Sequence, residues 1–419
     1  MSAREGCETM EAGGVPERRG ESAASGAEGF VARRLGRLPP CDGGIEDPAA
    51  LLEPAPADLA TRVAAALAGR CGARGVLLRR SRCDALRVAL RAAAARAGRD
   101  EVVLPAYAPW SLAAAATAAG LRIRLVDVDE RGAIDPVALA LLPLERVACI
   151  VVASPLGIAE PVAPVAAIAR PRGVWIVDDA TESFGGAASD GAAGARGALG
   201  VIGFGRGEPL QALGGGAVLW HDPGLRATGG PPVAPQRRRA WWRARVANAA
   251  LRPLACAVLA SPSLARTGAP LLESSFARGP IDGAALVLCA HALARCDAAR
   301  ERREAEALRL AAALRARTAF APILPPPGAR GAFPRLVLRA PDRARCDAAL
   351  AALTRHGAAR PLPAPLDAVP ALHARLAARP AIPGARALAE RLLTLPVHGG
   401  LRGPRLELVL ATLARLAPA

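Results

Sequence analysis

The residues best equipped for chemistry lie between positions 174 and 220. An apolar run, Val174-Trp175-Ile176-Val177, ends in two carboxylates, Asp178 and Asp179, followed by Ala180-Thr181-Glu182-Ser183. Carboxylates at the carboxyl end of a buried strand stand where open α/β sheets hold their ligands. A second apolar run over 198–204 leads into Gly205-Arg206-Gly207-Glu208-Pro209-Leu210, and a glycine triplet at 214–216 precedes a third run, Ala217-Val218-Leu219-Trp220. Glu208 thus offers another acid close to the first two. All 54 Lys or Arg residues are arginine, and the chain contains no lysine. Chemistry that needs a lysine amine as nucleophile is therefore closed to it, because a guanidinium stays protonated and attacks poorly.

The elements that must position these groups follow from periodicity. Short apolar runs at 101–104, 122–127, 147–153 and 174–178 read as buried strands. Helical patterns at 110–119, 136–142 and 161–170 separate them, which predicts a mostly parallel sheet covered on both faces. A helix is expected over 58–69, and another begins near Ser81-Arg82-Cys83-Asp84, with Ser81 or Asp84 able to act as its cap. A long helical pattern over 280–316 is followed by a strand (333–338), a helix (342–353) and a last helix (403–416). The expected organisation is a tail without periodicity over 1–48, a large domain over 49–275, and a linking helix with a small C-terminal α+β domain over 276–419.

Composition narrows the function classes. At 419 residues and 52% hydrophobic, the chain suits two packed domains with a large core. Its formal charge of +17 is spread through apolar helices, apart from Arg237-Arg238-Arg239. No nucleic-acid-binding motif accompanies it. The Arg- and Trp-bearing stretch 237–245 has the character of a dimer-interface helix, of a helix lying on a membrane interface, or of a surface for an anionic ligand. The nine cysteines lack metal-ligand spacing, so no metal site is expected, and they read as reduced thiols of a cytoplasmic protein. Neither a signal peptide nor a transmembrane run is seen.

Several motifs together resemble the DegT/DnrJ/EryC1/StrS family of sugar aminotransferases, which carry pyridoxal phosphate (PLP) on fold type I. They are the acidic pair with its Ala, the Gly-Arg-Gly stretch with the glycine triplet, Glu101-Val102-Val103-Leu104-Pro105-Ala106-Tyr107, Leu125-Val126-Asp127-Val128-Asp129, and Leu392-Leu393-Thr394-Leu395-Pro396-Val397-His398. The resemblance covers roughly residues 50 to 419 and is weakest over 223–275. It implies an α/β PLP-transferase fold and a homodimer, with a nucleotide sugar as ligand.

Residue by residue, the resemblance implies that Asp179 meets the cofactor's pyridine nitrogen, that Glu182 lies near its ring oxygen, and that Trp110 stacks on the ring. The resemblance also implies that the helix start at Ser81, Arg82 and Cys83 holds the phosphate, where backbone N–H groups favour anions. Three departures stand out. Glu208 occupies the position of the lysine that forms the Schiff base, Gly203 replaces a phosphate-binding serine, and Cys83 replaces the usual threonine hydroxyl. Any PLP or pyridoxamine phosphate would then be held non-covalently, with Glu208 as the candidate base. The expectation is a homologue that does not perform ordinary transamination. The alternatives are a dehydratase-like enzyme on a keto-sugar nucleotide and a non-catalytic binding or scaffold protein.

Overall fold

The structure is a computed structural model that describes residues 36–41, 43–225, 229–259 and 276–416. Among the described residues, nine strands precede residue 221. They are β1 (Gly75–Arg79), β2 (Glu101–Pro105), β3 (Arg122–Val126), β4 (Val147–Ala153), β5 (Trp175–Asp179), β6 (Ala187–Ala188), β7 (Gly191–Ala192), β8 (Leu199–Gly203) and β9 (Gly216–Trp220). β6 and β7 form a small separate ribbon, and the other seven make one sheet in the order β1-β9-β8-β5-β4-β2-β3. Only β9 runs against the rest. β2 and β4 are buried along their whole length. Their near-continuous apolar composition is what a parallel strand covered on both faces requires.

Helices α1 (Leu59–Cys71), α2 (Arg82–Ala97), α3 (Trp110–Ala119), α4 (Pro136–Ala140) and α5 (Ala163–Ala169) cover this sheet. α2 and α3 pack on one face through Ala85, Leu86, Ala89, Leu112 and Ala116, together with Val102, Leu104 and Val151. On the opposite face lie Val103, Ile150, Val165 and Ile176. α2 starts where the Ser81 hydroxyl accepts the Asp84 N–H at 3.1 Å, and it ends at Gly98 in the left-handed region. These are the expected start and stop devices.

Beyond the sheet come α6 (Arg237–Ala250), α7 (Pro253–Leu259) and the 35-residue α8 (Gly283–Arg317). A smaller antiparallel sheet of β10 (Ala321–Pro322), β11 (Leu336–Arg339) and β12 (Leu392–Leu395) follows. Around it stand α9 (Arg343–Leu353), α10 (Pro383–Arg391) and α11 (Pro404–Arg415). α8 joins two cores. Ala284, Leu288 and Leu293 pack with α1 and β9, whereas Ala307, Leu310 and Leu314 pack with β11, β12 and α11.

The fold is the expected α/β architecture with a large, mostly parallel sheet. One expectation changes. The tail foreseen over 1–48 lies mostly outside the described residues, but Leu38 and Ile45 are buried. Residues 36–41 and 43–48 therefore belong to the packed body, held by apolar side chains that composition averaging hid. No helix among the described residues is long and apolar enough to cross a membrane.

Candidate functional site

The two neighbouring acids at the end of β5 have different fates, because successive strand residues point to opposite faces. Asp178 is fully buried and meets the Arg196 guanidinium with two oxygens, at 2.8 and 2.9 Å, while also accepting the Gly194 N–H at 2.8 Å. It is a closed structural pair. Asp179 turns to the other face. Only its Oδ1 is engaged, by the Thr181 N–H at 3.1 Å and the Thr181 hydroxyl at 2.5 Å. Burial raises its carboxyl above the ordinary range, against the pull of Thr181 and Arg82.

Asp179 lines a narrow, partly open pocket at the carboxyl ends of β4 and β5. Arg82 and Cys83 from the start of α2 form one wall, and Ser111, Ser154, Thr181 and Glu182 complete the polar lining. The sheet brings these groups together because Gly216 on β9 lies hard against α2: a Cβ there would stand 2.8 Å from the Arg82 Cα.

Behind this wall lies Glu208, 6% exposed. Its side chain is turned back over its own loop. The carboxylate accepts the Gly205 N–H and lies 3.2 Å from Arg82 Nη1. The floor beneath it is glycine. A Cβ on Gly203 would meet Glu208 Oε2 at 2.3 Å, and one on Gly205 would meet Oε1 at 2.8 Å. Burial pushes the Glu208 carboxyl up to about 7; Arg82 opposes the shift, and Glu182 adds to it. Glu182 is held loosely, with Oε1 at 3.7 Å from Arg82 and Oε2 at 3.5 Å from Arg335. Its Oε2 is buried and accepts no hydrogen bond. Three carboxylates thus surround Arg82.

Other expected site residues are placed differently. Ser81 is committed to structure, since it caps α2 and donates to the Ala277 carbonyl at 2.8 Å. Trp110 begins α3 half-buried, with its indole packed on the main core, and the pocket wall there is Pro109, Ser111 and Leu112. The apolar contact with the core outweighs a place in a polar pocket. Arg206 reaches away from the pocket, to the Gly43 carbonyl at 3.2 Å and the Ala247 carbonyl at 3.4 Å. His398 uses both ring nitrogens, one at 3.0 Å from the Pro39 carbonyl and the other accepting the Gly400 N–H at 3.2 Å. It pins the N-terminal segment to the C-terminal sheet region.

Sequence reasoning missed Thr181 as the partner of Asp179 and Arg335 as the partner of Glu182. An Asp-x-Thr spacing is a turn signal that could have found the first; nothing local marks the second.

Fit to PLP can be judged from these groups. Asp179 presents a carboxylate suited to a pyridine nitrogen. No lysine exists to bind the cofactor covalently, and the one arginine of the pocket wall already faces Glu208 and Glu182. The residues present do not fit a covalently held, phosphorylated cofactor.

Comparison with known proteins places this geometry. Residues 58–229 match the family model for the DegT/DnrJ/EryC1/StrS aminotransferases. No curated protein matches the chain. Among solved structures it is similar to a DegT DnrJ EryC1 StrS aminotransferase from Brucella abortus, at 20% identity and TM-score 0.64, over 94% of this chain and 95% of that one. It is similar to the aminotransferase TlmJ from Streptoalloteichus hindustanus at 22% identity and TM-score 0.63, over 93% and 95% of the two chains. It also resembles the E. coli GDP-4-keto-6-deoxy-D-mannose-3-dehydratase, solved with hydrated PLP, at 13% identity and TM-score 0.64, over 85% and 91%. Identities of this size establish a common fold.

Proposed function

We propose that the chain, whose residues 58–229 match the family model for the DegT/DnrJ/EryC1/StrS aminotransferases, is a member that has left Schiff-base transamination and keeps the fold as a binding protein, with a small acid-walled pocket. The observation that carries this reading is Glu208. It replaces the lysine, and its carboxylate is turned onto Gly203 and Gly205, away from the open pocket. A lone substitution would leave the rest of the site poised for chemistry. Here the glycine floor and the Arg82 contact are built around the replacement.

A second reading keeps some catalysis, with PLP or pyridoxamine phosphate bound non-covalently on a keto-sugar nucleotide and Glu208 as base. The free oxygen of Asp179 favours it. The orientation of Glu208 weighs against it, because a base must reach the proton it removes. A homodimer and a nucleotide-sugar ligand remain parts of the proposal that rest on the family alone.

The test is direct because the chain has no other lysine. The wild type and Glu208→Lys are mixed with PLP, reduced with borohydride and analysed by peptide mass spectrometry. The expected result is no pyridoxyl adduct within the wild-type chain, and an adduct at position 208 in the variant if the seat can be reopened. Amino transfer to a keto-sugar nucleotide by the wild type would overturn the proposal.

A further inference from the structure

The chain's arginine excess is not evenly spread. Between Asp222 and Asp282 stand nine arginines and one acid, Glu273, so eight of the net +17 charges fall in this stretch. Its described part carries α6, whose two faces differ. The inner face is fixed to the body. Ala240 and Ala244 are buried, Trp241 packs against the core that holds α1 and β9, and the Asn248 side-chain amide bonds the Ile45 N–H and carbonyl, both at 2.8 Å. The outer face presents Trp242 and Val246, one turn apart on a single stripe, at 61% and 63% exposure, and Leu254 of α7 follows at 72%. Trp242 is the one exposed tryptophan of the five. An open groove carries this apolar strip across to Leu213, on the loop that follows Glu208.

Arg238, Arg239, Arg243, Arg245 and Arg252 are exposed around the strip, and among the described residues none of them forms an ion pair. Arg239 reaches Gln236 Oε1 at 3.4 Å, and the Arg245 guanidinium lies over the Trp241 ring at 4.9 Å. Exposed arginines elsewhere, such as Arg62 and Arg302, hold carboxylates. We propose that the outer face of α6 and α7 docks the chain on a phospholipid bilayer surface that carries anionic headgroups. The face has the layered polarity of such a surface. Its indole and aliphatic groups suit the boundary between headgroups and acyl chains. The arginine stems can lie along that boundary with their guanidiniums at the phosphates. A second copy of this chain fits the face poorly, because a two-fold contact is self-complementary and sets the arginines against their own mates. A nucleic acid would neutralise the arginines and leave Val246 and Leu254 in water. The inference is independent of how the pocket beside Asp179 is read.

Binding of the full chain is measured by co-sedimentation with vesicles of phosphatidylcholine alone, and of phosphatidylcholine with about one-third phosphatidylglycerol. The wild type should bind the mixed vesicles, ignore the neutral ones, and come off as salt rises towards about 1 M, where the screening length falls to about 3 Å. Replacing Arg238, Arg239 and Arg243 together by Gln should weaken binding about a hundredfold. Replacing Arg62, Arg302 and Arg343 by Gln removes the same charge from other exposed sites, and should change binding less than about threefold. Trp242→Ala should weaken it about tenfold. It should also abolish the quenching of tryptophan fluorescence by lipids brominated on their acyl chains. Thermal melts confirm that each variant is folded.

A wild type that binds neither vesicle, or both equally, overturns the proposal. Equal losses from the two triple variants also sink it, because net charge would then act without this face. Unquenched tryptophan in the bound wild type does the same, since the apolar strip would not enter the bilayer. If DNA or polyglutamate binds through Arg238, Arg239 and Arg243 while the mixed vesicles do not, the face belongs to a macromolecular polyanion and the lipid assignment fails. A wild-type dimer in sedimentation velocity that Trp242→Glu takes apart would assign the face to a second copy, and the proposal would fall.

Discussion

The two sides of the β5 terminus hold the same kind of residue under opposite conditions. On one side Asp178 and Arg196 are both nearly inaccessible, with side-chain exposures of 0% and 2%, and the carboxylate takes several charge-assisted hydrogen bonds. On the other, Asp179, Glu182 and Glu208 gather around Arg82, with Asp179 Oδ2 and Glu182 Oε2 lacking hydrogen bonds and with longer charge separations. The first arrangement is complete and has nothing to offer a ligand. The second is short of positive charge and donors, which is the condition under which a pocket gains from an added group. Buried acids become candidates for function when their partners run out, and adjacency in sequence does not decide which they are.

The largest test of this contrast is stability. Asp178→Ala strips a buried arginine of its main partner and should cost about 3–5 kcal/mol, whereas Asp179→Ala should change stability by about 1 kcal/mol or less. Chemical denaturation of both variants decides, and equal losses would break the comparison. Next comes pH. The Glu208 carboxyl is raised from its ordinary 4.5 to about 7 in the folded chain. The folded state therefore holds the extra proton between those values. The contribution is full below about pH 4.5 and lost as pH rises through about 7, a swing of about 3 kcal/mol for this group. Glu208→Gln should remove that part of the slope. The slope that remains includes Glu160, which burial also raises to about 7. An identical pH dependence in wild type and variant would show that Glu208 is not held as described.

A smaller effect concerns the glycine floor. Gly203→Ser places a side chain on the Glu208 carboxylate and should cost about 1–3 kcal/mol through overpacking. Adding Glu208→Ala should recover most of the loss, and a double-mutant cycle reads the coupling. Additive losses would mean that positions 203 and 208 changed independently.

Much of the fold was legible from residue order. Runs such as Val147-Ala148-Cys149-Ile150-Val151-Val152 can bury both faces only in a covered parallel strand, and the structure places β4 there in full. α3 likewise spans the expected 110–119. The acidic pair was legible as a site, though not the division of labour within it, because the partner of Asp178 arrives from a loop 18 residues on. The direction of Glu208 was not legible. It depends on two missing side chains, at 203 and 205, and on an arginine 126 positions earlier in the chain. Periodicity reports which face a residue occupies, and long-range polar partners lie outside its reach. For the same reason Ser81 was assigned to a ligand while its hydroxyl serves a carbonyl nearly 200 residues away.

The helix that runs from Gly283 to Arg317 has a mechanical consequence. Its rise of about 1.5 Å per residue makes it a rod of about 50 Å, with one end in the core of the large sheet and the other in the core of the small one. Neither core can melt without stripping apolar partners from half of the same helix. The two should therefore unfold as one cooperative unit, and a cut on either side of the helix would leave a fragment with an uncovered apolar stripe. The rod that sets the distance between the two halves also makes their stabilities inseparable.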